Sequence, residues 1–354
     1  LIFALLFVSI SYFALRLLSS VVVTPITPVK EIKASLEDFF TLPAGQVRQV
    51  KLSPSGTCLS LIEEVEGNGE NYLQILKMGD PPQSFLSLKI HGEKMAWLPG
   101  NPEALLYEDG GDIYRIDLEN RRVLNLTPAN PGPDADPRPS PDGERIVWRR
   151  ASEAGGTEGL VWWVMRKDGS GARTLGISGE DLAWSPDGRS IISYERIGSA
   201  LANRPNLYFL QMVQLDSGAS ESFAESKGEI RYIGWLNASQ FFYVALHMNE
   251  DLSEVKGVIY LTNADDIARR ETVGTLKSLN DPDRRYDFYL SRGNFRLAYL
   301  GSSGLEFFDL DARKIYRLRD LEEATCLEWM PGGGELLVAD GNKIYRLKLE
   351  FEVQ

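Results

Sequence analysis

The tetrapeptide Ser-Pro-Asp-Gly occurs twice, at Ser140–Gly143 and Ser185–Gly188, 45 residues apart. Each copy leads into an alternating apolar stretch, from Arg145 to Arg150 and from Ser190 to Glu195. Proline presets φ for a tight turn, Ser or Asp bonds the local backbone, and Gly takes the φ > 0 position. The unit therefore reverses the chain between two strands. Weaker copies stand at Ser53-Pro54-Ser55-Gly56, Leu98-Pro99-Gly100-Asn101, Leu236-Asn237-Ala238-Ser239, Ser291-Arg292-Gly293-Asn294 and Met330-Pro331-Gly332-Gly333. The seven anchors are separated by 45, 42, 45, 51, 55 and 39 residues. Trp precedes the turn in four of them: Trp97, Trp184, Trp235 and Trp329.

A period near 45 marks a repeat architecture with one four-stranded sheet per repeat. Such a sheet cannot bury both faces alone. Arranged radially, each packs against two neighbours, and the Trp before the turn fills the gap between them. Seven anchors predict an all-β, seven-bladed β-propeller with four-stranded blades over residues 46–354. The last repeat offers three strands, within "CLEW", "ELLVAD" and "KIYRLKLEFEV". A fourth from around Phe40 to Gln49 would close the ring by joining the two ends of the chain. The Ser-Pro-Asp-Gly turn with its preceding Trp resembles the blades of TolB and of the related propellers in prolyl oligopeptidases. The resemblance covers roughly residues 46–354 and implies the fold, whereas propellers host unrelated tasks.

The leading stretch, residues 1–24, reads differently. "LIFALLFVSISYFALRLLSSVVV" carries no charge before Arg16. Its 15 uncharged residues would span about 22 Å as a helix, and continuation to Val23 about 35 Å, against a bilayer core of about 30 Å. An N-terminal hydrophobic helix is predicted, for a membrane or an assembly core, presenting Leu1, Ile2, Phe3, Leu5, Leu6, Phe7, Val8, Ile10, Phe13, Leu15, Arg16, Leu17 and Leu18. Arg16 would have to snorkel or find a partner. The stretch resembles a processed type IV pilin-like helix, although the bacterial pattern has Glu at the fifth mature position where this chain has Leu5. Residues 25–45 follow as a linker. Thr24-Pro25-Ile26-Thr27-Pro28 breaks the first helix. Thr27 caps a short amphipathic helix with Val29, Ile32, Leu36, Phe39 and Phe40 on one face.

Motifs for chemistry are sparse. The chain has a net charge of −12, which disfavours nucleic acid as a partner. Two Cys and two His are too few for a common zinc site or a disulfide framework. Gly-x-Ser-x-Gly, a P-loop and a Rossmann glycine pattern are absent from the sequence. "DGSGA" at Asp168–Ala172 is read as a hairpin turn. His91 and His247 are read as ordinary histidines. The acidic clusters Asp109–Asp112, Asp134–Asp136 and Asp265–Asp266 could offer calcium ligands but are read as solvated turns. Cys58 and Cys326, in the first and last repeats, would be close enough for a disulfide to be conceivable. Asn125 and Asn237 begin glycosylation acceptor triplets. No cofactor, metal or catalytic residue is predicted. Long insertions between the second and third strands of blades four and five, holding Arg196, Asn203, Arg204, Glu250 and Asp251, are candidate recognition loops on the face opposite the Ser-Pro-Asp-Gly turns.

Two functional readings remain open, both non-enzymatic and both outside the cytoplasm. In one, copies of the N-terminal helix pack into the core of an extracellular pilin-like filament with propellers outside. In the other, the helix anchors the propeller to a membrane and the propeller docks a protein partner as a scaffold. A propeller-type hydrolase or lactonase would need carboxylates or His converging at the channel mouth.

Overall fold

A computed structural model of the chain describes residues 21–25, 32–43, 45–65, 69–100, 103–128, 132–151, 160–197, 207–225, 228–248, 255–281, 286–291, 295–302, 304–318, 321 and 324–351. The inner strands of seven blades are Gln46–Leu52, Met95–Leu98, Asp134–Pro139, Asp181–Trp184, Glu229–Trp235, Phe288–Ser291 and Cys326–Trp329. From each, the chain runs outward through antiparallel neighbours, so blades one to five are separate sheets of four consecutive strands and blade six contributes four consecutive strands to a larger sheet. In each blade the anchor turn joins the first strand to the second.

The two clear turns show why the tetrapeptide recurs. In blade three, Gly143 N–H donates to Ser140 O at 2.9 Å and Arg145 N–H to Ser140 Oγ at 2.9 Å. Asp142 Oδ1 accepts from Ser140 Oγ at 2.5 Å and Glu144 N at 3.0 Å. Ser185 and Asp187 repeat the pattern in blade four, where Gly188 N donates to Ser185 O at 2.9 Å and Ser190 N to Ser185 Oγ at 2.9 Å. Gly143 has φ +70°. A Cβ there would also lie 2.0 Å from Pro99 O in the turn of the preceding blade, so glycine is required on both counts.

Seven apolar clusters occupy the seven contacts between adjacent blades, including blade seven against blade one. The second strand of each blade is buried on both sides. In blade five (Gln240–Met248), Phe242, Val244 and Leu246 face blade six, whereas Phe241, Tyr243 and Ala245 face blade four. This is the period-2 alternation of a strand with two dry faces. The Trp before four of the anchor turns reaches back to the preceding blade. Trp97 Nε1 donates to Lys51 O (3.1 Å), Trp184 to Arg138 O (3.1 Å), Trp235 to Ala183 O (3.1 Å) and Trp329 to Tyr289 O (2.8 Å). Each indole fills the inter-blade gap and satisfies an inner-strand carbonyl of its neighbour.

The N-terminal region corrects the expectation of helix. Val21–Pro25 and Ile32–Thr41 are strands, and the described residues contain no helix. Ile32–Thr41 is the fourth strand of blade seven, paired from Ile32↔Phe351 to Thr41↔Lys343. Val21–Pro25 pairs with it at Val21↔Ala34 and with blade six at Val23↔Leu318, joining two blades into one nine-stranded sheet. The chain end therefore closes on its beginning, with the strand lying upstream of the Phe40–Gln49 segment expected to supply it. The apolar spacing that read as one helical face has another origin. Ala34 and Leu36 alternate into the core between blades six and seven. A bulge between Asp38 and Phe40 then shifts the phase, so that Phe39 and Phe40, though adjacent, both meet the core between blades seven and one. The predicted apolar helix over residues 1–24 thus gives way to strand from Val21, and its residues 1–20 lie outside the described residues.

Replacing Trp235 with Phe keeps the aromatic bulk but leaves Ala183 O without its donor. Denaturant unfolding is expected to show a loss of about 1–3 kcal/mol with an unchanged m-value.

Candidate functional site

Because strands alternate in direction, the second strands end on the face opposite the anchor turns. There, four blades carry paired charges: Glu63-Glu64, Glu108-Asp109, Arg149-Arg150 and Glu195-Arg196. The corresponding ends in blades five, six and seven are Leu246-His247, Leu300-Gly301 and Ala339-Asp340. The charged sector spans blades one to four, and blade three is the one whose pair is basic.

Two arginine networks cap the two sides of blade three. Towards blade two, Arg150 grips Asp134 with both ends of its fork, Nε–Oδ1 at 2.7 Å and Nη2–Oδ2 at 3.0 Å. Its guanidinium lies over Trp148 (5.4 Å) and Trp163 (4.4 Å). Towards blade four, Arg138 binds Asp136 through Nε (3.1 Å) and Nη2 (2.8 Å), and its Nη1 bonds Asp181 and Leu182 O. Arg149 Nη2 stands 3.4 Å from Asp136 Oδ2, and Arg138 and Arg149 both lie 5.5 Å from the buried Trp162 ring.

Asp136 is held in the left-handed region (φ +56°) within a bulge between Ala135 and Arg138. Its N–H donates to Glu108 Oε2 of blade two at 2.8 Å. Burial raises the Asp136 carboxyl pKa, but the guanidiniums of Arg138 and Arg149 outweigh burial and hold it below the usual carboxylate range. Burial acts downward on Arg138, and Asp136 and Asp181 together raise it. Burial first, then the charge of Asp181, pushes the neighbouring Tyr194 hydroxyl well above its ordinary value.

These networks are less complete than they are dense. Arg149 Nε and the indole nitrogens of Trp148 and Trp162 are buried without a hydrogen-bond partner, yet the Arg149 side chain is 21% exposed. By contrast, the fully buried Glu306 of blade six is satisfied by Tyr299 Oη (2.6 Å), Ser278 Oγ (2.5 Å) and Arg317 Nε (2.6 Å). Glu306 has the completeness of a structural group, whereas Arg149 retains donor capacity at the rim. Neither network forms a nucleophile–base pair; their chemistry is recognition of carboxylates or carbonyls by guanidinium forks.

Among the residues singled out from the sequence, Arg196 lies one residue before the end of the second strand of blade four and pairs with Glu180 at 3.4 Å. Asn203, Arg204, Glu250 and Asp251 lie outside the described residues, but the strands that flank them end on the charged face. His91 is exposed and pairs with Asp109 through Nδ1 at 2.9 Å, and His247 Nε2 meets Tyr260 Oη at 2.9 Å. Asp134 and Asp136 are not solvated turn residues: they are 2% and 6% exposed and bound to arginines. Asp265 and Asp266 are exposed. Asp168–Ala172 falls between the third and fourth strands of blade three, as a hairpin turn should. Cys58 and Cys326 are buried free thiols on opposite sides of blade one, Cys58 facing blade two and Cys326 packed between blades seven and one. Burial raises Cys58 and pushes Cys326 up to about 12, so neither thiol is activated. Asn125 is engaged with Asp112 and Thr127, whereas Asn237 sits in the exposed anchor turn of blade five. Among the described residues there is no cluster of three or more potential metal ligands, and no helix is long and apolar enough to cross a membrane.

No protein-family model matches the chain, and no curated protein matches it. Solved structures do. The Cps50 (Swd1) β-propeller domain of Myceliophteria thermophila aligns with TM-score 0.60 at 11% identity, covering 89% of this chain and all of that one. An oligogalacturonate lyase in complex with manganese aligns with TM-score 0.62 at 10% identity, covering 94% and 98%. The tricorn protease aligns with TM-score 0.55 at 12% identity, covering 91% of this chain and 35% of that one. The chain is a seven-bladed β-propeller. At such identities the likeness extends to the fold alone, and propellers of this shape carry varied tasks.

Arg138→Ala strands Asp136 and Asp181 without their cation. Breaking a wholly buried pair costs about 3–5 kcal/mol. With Arg138 30% exposed, a loss of about 2–3 kcal/mol in denaturant unfolding is expected after solvent screening.

The lowered pKa of Asp136 has a definite sign. On acidification the unfolded chain takes up the proton first, so this contribution is whole above about pH 4 and disappears as pH falls through the folded value. Thermal unfolding from pH 7 to pH 2 should therefore fall less steeply below about pH 4 in Asp136→Asn than in the unaltered chain.

Proposed function

We propose that this chain is a non-enzymatic binding scaffold that docks a protein partner on the face opposite the anchor turns, over blades three and four. The observation that carries this reading is the confinement of paired strand-end charges to blades one to four, on the face where the insertions of blades four and five emerge. Arg149, with an unpaired buried Nε and an exposed edge, supports a role in accepting a partner's carboxylate or carbonyl. The tight pairing of the carboxylates with arginines supports recognition over acid–base catalysis, which needs a free base beside its reacting group. The Trp-and-turn repeat that resembles TolB-type blades supports the same class of role, as does the acidic balance of the chain, which disfavours nucleic acid.

The uncharged run from Leu1 to Leu15 supports attachment to an apolar phase outside the cytoplasm, either a bilayer or a bundle of the same segment from other copies. A filament also needs a connector of fixed geometry, which the short amphipathic helix predicted from Val29 to Phe40 would have supplied. Most of that stretch lies in the strand Ile32–Thr41, so the membrane-attached scaffold is the reading preferred here.

A photoreactive residue in place of Arg196, in the native host, is expected to give a defined adduct with one other protein. The same residue at Val123, exposed on the outer strand of blade two, should give none. Equal adducts from both positions would refute docking on this face, and adducts only to further copies of the chain would favour the filament.

A further inference from the structure

On the opposite face, a cleft of about 230 Å³ opens between blades three and four, lined by Arg145, Val164, Met165, Arg166, Arg173 and Leu215, with Gly171 at its edge. Arg145 begins the second strand of blade three, Arg166 ends the third and Arg173 begins the fourth. Arg145 and Arg166 are direct cross-strand partners, and Arg173 is opposite Val164, two residues from Arg166. Strand parity puts all three arginines on the face shared with Val164, the face that packs against blade four. Like charges directly opposite one another destabilise a sheet, and this chain has a net charge of −12. Three arginines gathered on one sheet face are therefore a local reversal of the chain's own balance.

Their neutralisation inside the protein is partial: Asp142 interacts electrostatically with Arg145, and Asp168 with Arg166. Arg145 Nη2 meets Asp216 at 3.1 Å, but Asp216 is 67% exposed and easily displaced. Arg173 Nη2 donates to the backbone carbonyl of Leu215 at 3.1 Å. Among the described residues, Arg166 and Arg173 have no carboxylate within ion-pair distance. The buried Val164 and Leu215 make an apolar floor beneath the guanidiniums.

We propose that this cleft binds a carboxylate carried on an acidic peptide segment with an adjacent aliphatic side chain. The carboxylate takes the forks of Arg166 and Arg173, the arrangement in which arginine binds most strongly. The aliphatic group covers Val164 and Leu215. A free inorganic anion would use the charge and leave the floor unused. The proposal concerns the face opposite the one argued above and stands independently of that reading.

Isothermal titration calorimetry of the full chain tests it, with an acetylated, amidated Leu-Glu-Leu-Asp-Leu peptide, its Leu-Gln-Leu-Asn-Leu counterpart and succinate as probes. Saturable binding of the acidic peptide is expected, with the neutral peptide at least about tenfold weaker, as loss of a charge-assisted hydrogen bond requires. Arg166→Ala with Arg173→Ala should weaken the acidic peptide by a similar factor while leaving the thermal midpoint unchanged or higher, because like-charge repulsion is relieved. Equal affinity for the two peptides, undiminished binding by the double variant, or no saturable binding would overturn the proposal. Succinate binding as tightly as the peptide would overturn the peptide part of it. Should the double variant fail to fold, the comparison of the two peptides on the unaltered chain still decides.

Discussion

No blade of this protein can bury its own two faces, and the rest of the structure follows from that constraint. The second strands are apolar on both sides because each is walled by two neighbours. In blade five, six consecutive residues from Phe241 to Leu246 are at most 1% exposed. A sheet with two apolar faces is stable only when both are covered, so the ring must close. The indole bonds of Trp97, Trp184, Trp235 and Trp329 add direction to this non-directional packing. Each fixes the angle at which one inner strand meets the last, because a buried carbonyl must find its donor.

Closure is where that constraint is hardest to meet, since the two ends of the chain must find each other. Ile32–Thr41 covers the open edge of Lys343–Phe351. The link to blade one is polar as well as apolar: Leu42 N donates to Asn342 O, and Asn342 Nδ2 returns to Leu42 O. Lys51 reaches Glu328 at 2.9 Å, and Thr325 Oγ1 reaches Val47 O at 3.1 Å. These contacts bring together residues nearly 300 positions apart. Loop-closure entropy grows only slowly with length, so one such pairing is affordable when it lets every other interface form.

The repeat was legible because it is written in local chemistry. A turn that closes on its own serine and aspartate needs nothing from the rest of the chain, and Trp before it is a conspicuous marker. Even the faint anchors at Leu236 and Ser291 fall between first and second strands. The outer closing strand was harder to read. Its spacing Ile32, Leu36, Phe39, Phe40 is helical in period, and only the bulge at Asp38, together with an unpaired edge 300 residues later, makes it a strand. Tertiary demand overrode local pattern there. The rim residues were missed for a related reason. Arg149 and Arg150 close an alternating stretch and carry no motif, and Asp134 and Asp136 read as a turn. Only the ring brings Asp181 of the next blade to Arg138 and Glu108 of the previous one to Asp136, converting exposed-looking charges into buried networks. A hint was present, since a doubled arginine directly after Trp148 is an unusual way to end a strand whose partner begins with two aspartates.

The distribution of charge then separates two duties that share one scaffold. Propeller interfaces are apolar by necessity, and a charge placed there must bring its own partner, as Glu306 does with Tyr299, Ser278 and Arg317. Strand ends and turns are released from that demand, so variation collects there at little cost to the core. In this chain the variation is not scattered. One face carries acidic ends on blades one and two, a basic pair on blade three and a mixed pair on blade four. The other carries three arginines around an apolar cleft between blades three and four. Both concentrations meet at blade three, which also places Trp148 and Trp162 on its two faces. Large indoles on both sides make that blade a rigid support, and partly exposed guanidiniums held on rigid supports lose little entropy on binding. The same packing that forces the ring to close thus holds both sets of arginines in place before any partner arrives.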